Sequence, residues 1–210
     1  MKVAIISDIH GNLEALKETL TDINKRKVDK IKKWKDQIML YKTYYKSPVG
    51  NILLVSDENN LKGAWIEGQK YYLGKIKEEE IKQKDNIEIL KETKNWLDRY
   101  FKKEKPRISE LSIEPEGNEF RQNVWKLLCE IPYGKTTTYG EIAKKVAKMM
   151  NKKSMSAQAV GGAVGHNPIS IIIPCHRVIG KDGSLTGYAG GIDTKIKLLN
   201  IEGIKINRGC

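Results

Sequence analysis

Pro174-Cys175-His176 carries the residues of this chain best suited to nucleophilic chemistry, and it follows the apolar run Ile169-Ser170-Ile171-Ile172-Ile173. The run reads as a buried strand with the thiol at its end. Proline fixes the backbone there, and the adjacent histidine can take the thiol proton, the two things a cysteine nucleophile most needs. On these residues alone, a protease or a redox sensor is as good a reading as any other thiol chemistry. The remaining cysteines, Cys129 and Cys210, are widely spaced, with no CxxC pair for zinc and no disulfide framework, so reduced thiols are expected. Cys129 falls in an amphipathic segment and reads as an inert core thiol.

The elements that must position Cys175 begin near Asn118. Glu119 to Ile131 is amphipathic, with Phe120, Val124, Trp125, Leu127 and Leu128 on one face, and Pro132-Tyr133-Gly134 ends it. Thr136-Thr137-Thr138-Tyr139-Gly140 supplies hydroxyls to cap a helix over Glu141 to Met150. A polar break leads to a second short helix, Ser156 to Val164, rich in alanine and glycine. Two short helices joined by a polar turn suggest a helix-turn-helix. Small residues let a backbone approach a partner closely, and that partner is equally well a DNA groove or the neighbouring strand.

The whole chain has 210 residues, room for one large domain or two small ones, and its 38 Lys and Arg against 26 Asp and Glu leave a net charge of +12. Such an excess favours a polyanionic partner without by itself meaning DNA. No run approaches the roughly 18 apolar residues of a membrane span, and the N-terminus lacks a signal-peptide pattern, so a cytoplasmic protein with no membrane partner is expected. Upstream of the reactive segment, Ser47-Pro48-Val49-Gly50 and Asn59-Asn60 separate apolar runs at 41–45, 51–55 and 61–66. They read as an antiparallel meander, followed by a helix over Ile87 to Phe101. At the start of the chain, 2–7 reads as a strand running into a helix with Leu13, Leu16 and Leu20 on one face. The lysine-rich stretch 24–35, with Ile31, Trp34 and Ile38, reads as a helix or a solvated connector.

A family resemblance covers most of this. Phe120-Arg121-Gln122-Asn123-Val124-Trp125, Ile131-Pro132-Tyr133-Gly134-Lys135-Thr136, Tyr139-Gly140-Glu141-Ile142-Ala143, Ala159-Val160-Gly161-Gly162-Ala163, Asn167-Pro168, Pro174-Cys175-His176-Arg177-Val178-Ile179-Gly180 and Leu185-Thr186-Gly187-Tyr188-Ala189-Gly190-Gly191 together resemble the methylated-DNA-protein-cysteine methyltransferases, the O6-alkylguanine-DNA alkyltransferases. The resemblance implies an α+β fold: a small ribonuclease-H-like α/β domain at 39–110, then a winged-helix-like helix-turn-helix alkyltransferase domain at 118–206. It further implies irreversible, stoichiometric transfer of an alkyl group from O6-alkylguanine, and from O4-alkylthymine, to Cys175 after base flipping. No cofactor and no metal are implied, and a monomer acting on double-stranded DNA is expected.

Residue by residue, the resemblance makes His176 the base acting through a water, Glu202 the carboxylate that orients it, and Asn167 the organiser of the turn around the site. Tyr139 would push on the phosphate and donate a proton to the leaving guanine. Gln158, Ala159, Gly161, Gly162 and Arg177 would face DNA, and His166 reads as a loop residue near it. Val178, Tyr188, Ala189 and Ser170 would surround the base and its alkyl group. Gln158 departs from the family, in which many members carry an intercalating arginine. Residues 1–31, through Ser7-Asp8-Ile9-His10-Gly11-Asn12, resemble the opening of calcineurin-like metallophosphoesterases, but the later Asp, Asn and His ligands are missing from the sequence. Residues 1–38 are therefore expected to be a non-catalytic βα leader with a lysine-rich connector, or to precede a natural start at Met39. The competing functional class is a DNA-binding regulator or alkylated-DNA sensor without transfer, against which Cys175 itself argues.

Overall fold

The computed structural model describes residues 3–6, 13–27, 30–33 and 39–205, and the chain divides into two compact units, Met1–Ile38 and Met39–Cys210. In the first unit, strand β1 (Val3–Ile6) leads to helix α1 (Leu13–Lys25) and pairs in parallel with β2 (Lys30–Lys33). Part of the lysine-rich stretch is thus a strand rather than a helix or a connector. Pairing with β1 satisfies its backbone N–H and C=O groups, and that outweighs the sparse helical spacing of its apolar residues. Asp8, His10, Trp34 and Ile38 lie outside the described residues.

The second unit opens with a sheet in the order β5-β4-β3-β6, built from β3 (Leu40–Ser47), β4 (Gly50–Ser56), β5 (Leu61–Ile66) and β6 (Ile81–Gln83). The first three form the expected antiparallel meander, whose hairpin is fastened by the Ser47 hydroxyl donating to the Gly50 carbonyl at 2.6 Å. Strand β6 pairs in parallel with β3 and was not legible, because three residues are too few to show an alternation. Helix α2 (Glu88–Phe101) buries Ile89, Leu90, Trp96, Leu97 and Tyr100.

Three capped helices follow. Asn118 accepts from the Arg121 amide to start α3 (Glu119–Cys129). Thr138 and Glu141 form a reciprocal capping box at α4 (Tyr139–Met149), and Ser156 accepts from the amides of Gln158 and Ala159 to start α5 (Ala157–Gly165). Each cap satisfies backbone donors that the first helical turn leaves unpaired. Trp125 Nε1 donates to the Ala163 carbonyl at 3.0 Å, pinning α5 to α3. Strands β7 (Thr137–Thr138) and β8 (Val178–Ile179) pair in parallel, and α6 (Ile192–Ile201) closes the fold. One apolar core joins the sheet half to the helical half, including Leu90, Leu97, Trp125, Leu128, Val160 and Ile172. Among the described residues, no helix is long and apolar enough to cross a membrane.

The apolar run before Cys175 is not a strand. Only Ile169 makes a bridge, to Ala64 on β5. Beyond it the backbone folds back twice. Ile172 N–H donates to the Ser170 carbonyl at 2.9 Å around Ile171, whose φ is +72°, a γ-turn of the strained hand that a β-branched residue rarely adopts. Cys175 N–H then donates to the Ile173 carbonyl at 2.8 Å around Pro174, at φ −81° and ψ 63°, an inverse γ-turn. The run is apolar because all of it is buried, and proline makes the final bend.

Candidate active site

The two turns deliver Cys175 as the first residue of a single 3-10 turn, Cys175–Arg177, with the thiol only 4% exposed. Asn167 holds the bend together. Its side-chain amide donates to the carbonyls of Ile169 (3.3 Å) and Ile173 (2.8 Å) and to Cys175 Sγ (3.1 Å), while its oxygen accepts from the Ile169 amide (3.0 Å). Burial pushes the Cys175 thiol up, and the Asn167 hydrogen bond, the Lys195 charge and the amides of Cys175 and His176 pull it back.

Behind the thiol lies a fully buried polar network. His176 Nε2 is 2.7 Å from Glu202 Oε1. The same carboxylate accepts from Arg177 Nε (2.9 Å) and Nη2 (3.0 Å), from the Tyr100 hydroxyl (2.8 Å) and from the Gly134 amide (3.0 Å). Burial alone would raise the Glu202 carboxyl, but the hydrogen bonds from His176 and Arg177 and the Arg177 charge hold it at about 2. An ionised carboxylate only accepts, so Nε2 carries the imidazole proton. Burial also depresses the His176 pKa, against the pull of Glu202, which keeps the ring neutral. Nδ1 is then a bare acceptor, buried and with no protein partner.

Gly134 shows why the turn Pro132-Tyr133-Gly134 has its sequence. Its φ is +72°, and a Cβ there would lie 3.1 Å from the Glu202 carbonyl oxygen, so only glycine brings its amide this close.

A cavity of about 460 Å³ is lined among others by Tyr139, Gln158, Gly161, Gly162, Tyr188 and Ala189. Gln158, Ala159 and Gly162 are exposed on α5. Burial raises the phenol pKa of both Tyr139 and Tyr188, and both lie close enough to Cys175 for its charge to raise them further. The Tyr139 hydroxyl donates to the carbonyls of Thr186 (2.9 Å) and Gly187 (3.3 Å), which line the same cavity.

Several expected placements need correction. Arg177 is not a DNA contact: it is buried, donates to the Ile131 carbonyl at 2.6 Å, pairs with Glu202 and sits 5.7 Å over the Tyr133 ring. A guanidinium beside a buried carboxylate is worth more as its counter-charge than on the surface. Ser170 does not line the cavity. It is buried and donates to Gln69 Oε1 at 2.9 Å. Val178 needs no such correction: its side chain is buried, but the atom expected to meet the base is its carbonyl, which accepts from Lys195 Nζ at 2.6 Å. His166, expected in a loop, caps α5, with Nδ1 2.7 Å from the Gly162 carbonyl. Cys129 behaves as expected of a core thiol, with burial raising its pKa to about 11.

Sequence reasoning missed two members of the site. Lys195 lies wholly buried on α6, where burial lowers its pKa to about 8, and its ammonium also reaches the Thr186 carbonyl at 3.3 Å. A lysine in helical register with the apolar Leu198 and Leu199 was the available signal. Tyr100 comes from α2 in the sheet half and had none, because its partner Glu202 is 102 residues away.

Comparison with known proteins decides the family. A family model described as 6-O-methylguanine DNA methyltransferase, ribonuclease-like domain, matches residues 40–115, and its companion, the DNA binding domain, matches residues 119–204. The chain belongs to the methylated-DNA-protein-cysteine methyltransferase family. Its relatives include the methylated-DNA-protein-cysteine methyltransferase of Haemophilus influenzae, 42% identical over 165 residues, which span 79% of this chain and 87% of that one. The protein of the same name from Methanosarcina acetivorans is 46% identical over 165 residues, 78% of this chain and 99% of that one. Among methyltransferases of known structure, the O6-methylguanine methyltransferase of Mycobacterium tuberculosis superposes with a TM-score of 0.65 at 34% identity, covering 81% of this chain and 97% of that chain. OGT from the same organism in complex with DNA gives 0.63 at 35% identity, covering 77% and 92%. The mixed α+β architecture expected of the methyltransferases is the one observed. The phosphoesterase resemblance of residues 1–31 is not borne out: the family models match residues 40–115 and 119–204, and Asp8 and His10 lie outside the described residues.

Proposed function

We propose that the protein repairs DNA by direct damage reversal, taking the alkyl group of O6-alkylguanine onto Cys175 in a reaction that each molecule performs once. The observation that carries this reading is the buried relay behind the thiol: Glu202 fixes His176 through Nε2, and the bare Nδ1 is left as the base. Nδ1 takes the thiol proton through a water, and the thiolate attacks the alkyl carbon in line. The C–O6 bond breaks, its electrons stay on the guanine, and the Tyr139 hydroxyl gives that base a proton which the relay restores. The products are S-alkylcysteine and unmodified guanine, and no residue near the site is suited to cleaving a thioether.

Asn167 and Lys195 favour the thiolate by donating to, or lying near, the sulfur. The target atom is inside the base stack, so the nucleotide must be flipped out. The exposed Ala and Gly face of α5 suits a minor groove, and Gln158 at its start is placed to fill the gap left behind. The carbonyls of Cys175 and Val178 would accept from the guanine amine. Each already has one donor, Val178 N–H and Lys195 Nζ, and each retains a second lone pair. Entry of the base requires Tyr139 to release Thr186 and Gly187. We assign the ribonuclease-H-like domain to 39–110 and the alkyltransferase domain to 118–206. A cytoplasmic location fits a DNA-repair protein whose relatives include those of Haemophilus influenzae and Methanosarcina acetivorans, cells without a nucleus.

The test is stoichiometry. Duplex carrying radiolabelled O6-methylguanine, in excess, is expected to label the protein to one methyl group per molecule and then stop. Continued release of methylated product, or no label on the protein, contradicts the proposal.

A further inference from the structure

The loop 67–76 after β5 belongs to the sheet half, yet it is fastened to the active site along its length. Gln69 Oε1 accepts from the Ile66 amide (2.8 Å) and from the Ser170 hydroxyl (2.9 Å), and Lys70 N–H donates to the Ala189 carbonyl (2.9 Å). The Tyr71 ring then stacks on His166 at the end of α5, with centroids 3.8 Å apart and planes 22° from parallel. Tyr71 and Leu73 both hold φ near +60°, at 60° and 58°, in the left-handed region that side chains avoid unless their surroundings impose it. Gln69 and the Lys70 backbone would be enough to fasten the loop. The strained turn at Tyr71 does something else: it stands an aromatic ring, still 43% exposed, at the rim of the 460 Å³ cavity opposite Gln158, Gly161 and Gly162. Lys70 lines the same rim, with Nζ 5.0 Å from the Tyr71 ring centroid, exposed and without a carboxylate partner among the described residues.

We infer that Lys70 and Tyr71 make the sheet half part of the DNA-binding surface. Tyr71 forms the outer wall against which the extruded base rests, and Lys70 neutralises a phosphate of the strand that carries it. The occupant is the damaged DNA strand. A strand entering this cavity brings phosphates to a rim where Lys70 has no carboxylate partner among the described residues, and it brings a flat base to a half-exposed aromatic ring that His166 backs on one side. The inference rests on the proposed function, since it deepens the same site.

Two variants and two substrates test it. The substrates are an O6-methylguanine duplex and the free base O6-benzylguanine, which has no phosphate. Lys70→Gln is expected to lower the slope of log affinity against log salt for the duplex by about 0.9, the value for one lost phosphate contact. Tyr71→Gly, which also relieves the left-handed backbone, is expected to lose roughly tenfold in reaction rate with the free base and with the duplex. Wild-type salt slope in Lys70→Gln together with wild-type rates in Tyr71→Gly overturns the inference and leaves the loop a structural tether. The salt slope needs no alkyl transfer. If the wild-type protein transfers nothing, the proposed function fails while the slope still decides the role of Lys70.

Discussion

Replacing Tyr100 with phenylalanine removes one hydroxyl from the anchor of the relay and nothing else. The ring stays packed, stacked on Trp96 with centroids 5.6 Å apart and edge-on to Tyr133 at 5.9 Å. What disappears is the 2.8 Å bond to Glu202 Oε1, the oxygen that also receives His176. A hydrogen bond to a charged group contributes about 1.5–3 kcal/mol, and in a domain of this size each kcal/mol moves the thermal midpoint by about 2–4 °C. Tyr100→Phe is therefore expected to melt roughly 3–12 °C lower. The carboxylate keeps Arg177 and the Gly134 amide, so the relay loosens without collapsing, and the single-turnover rate of alkyl transfer should fall about tenfold, less than the roughly 10²–10⁴ that a whole general base contributes. Because Glu202 starts at about 2, it stays ionised in the variant, and the deficit should be constant between about pH 6 and 8. The assays are a thermal melt and a quenched-flow transfer to protein. A variant that melts with the wild type and transfers at its rate refutes the claim that the sheet half helps set the relay.

Three further outcomes follow from the same geometry. Glu202 has a folded pKa of about 2 against 4.5 for a free carboxyl, so its contribution, on the order of 3 kcal/mol, is fully present above about pH 4.5 and is lost as pH falls toward 2. Denaturant titrations across that window should show the decline, and a flat profile contradicts the depressed carboxyl. Gln158→Arg should tighten binding to duplex DNA at fixed low salt, because guanidinium adds charge and stacking at the gap; unchanged affinity removes Gln158 from the DNA interface. Lys195→Met deletes the cation that pulls the Cys175 thiol down, so the pH–rate profile should shift to higher pH, and an unshifted profile denies Lys195 that electrostatic part.

How far the sequence could be read depended on the range of the interactions. Capped helices were legible because their signals are local: Ser156 and Thr138 sit within one turn of the amides they cap. The meander was legible from turn residues and alternation. The bend at 169–174 was not, since a buried γ-turn and a buried strand draw on the same apolar residues, and only the Asn167 hydrogen bonds distinguish them. Cys175, His176, Glu202 and Asn167 are brought together as expected, whereas Arg177 turned inward because Glu202 needs a counter-charge that no sequence spacing reveals. Tyr100 lay beyond reach for the same reason.

The account stands or falls on which atom receives the alkyl group. Peptide mass spectrometry after incubation with O6-methylguanine duplex should place a single methyl group on Cys175, with none on Cys129, and Cys175→Ser should gain none. A methyl group on Cys129 or Cys210, or an unmodified protein beside repaired DNA, would contradict it.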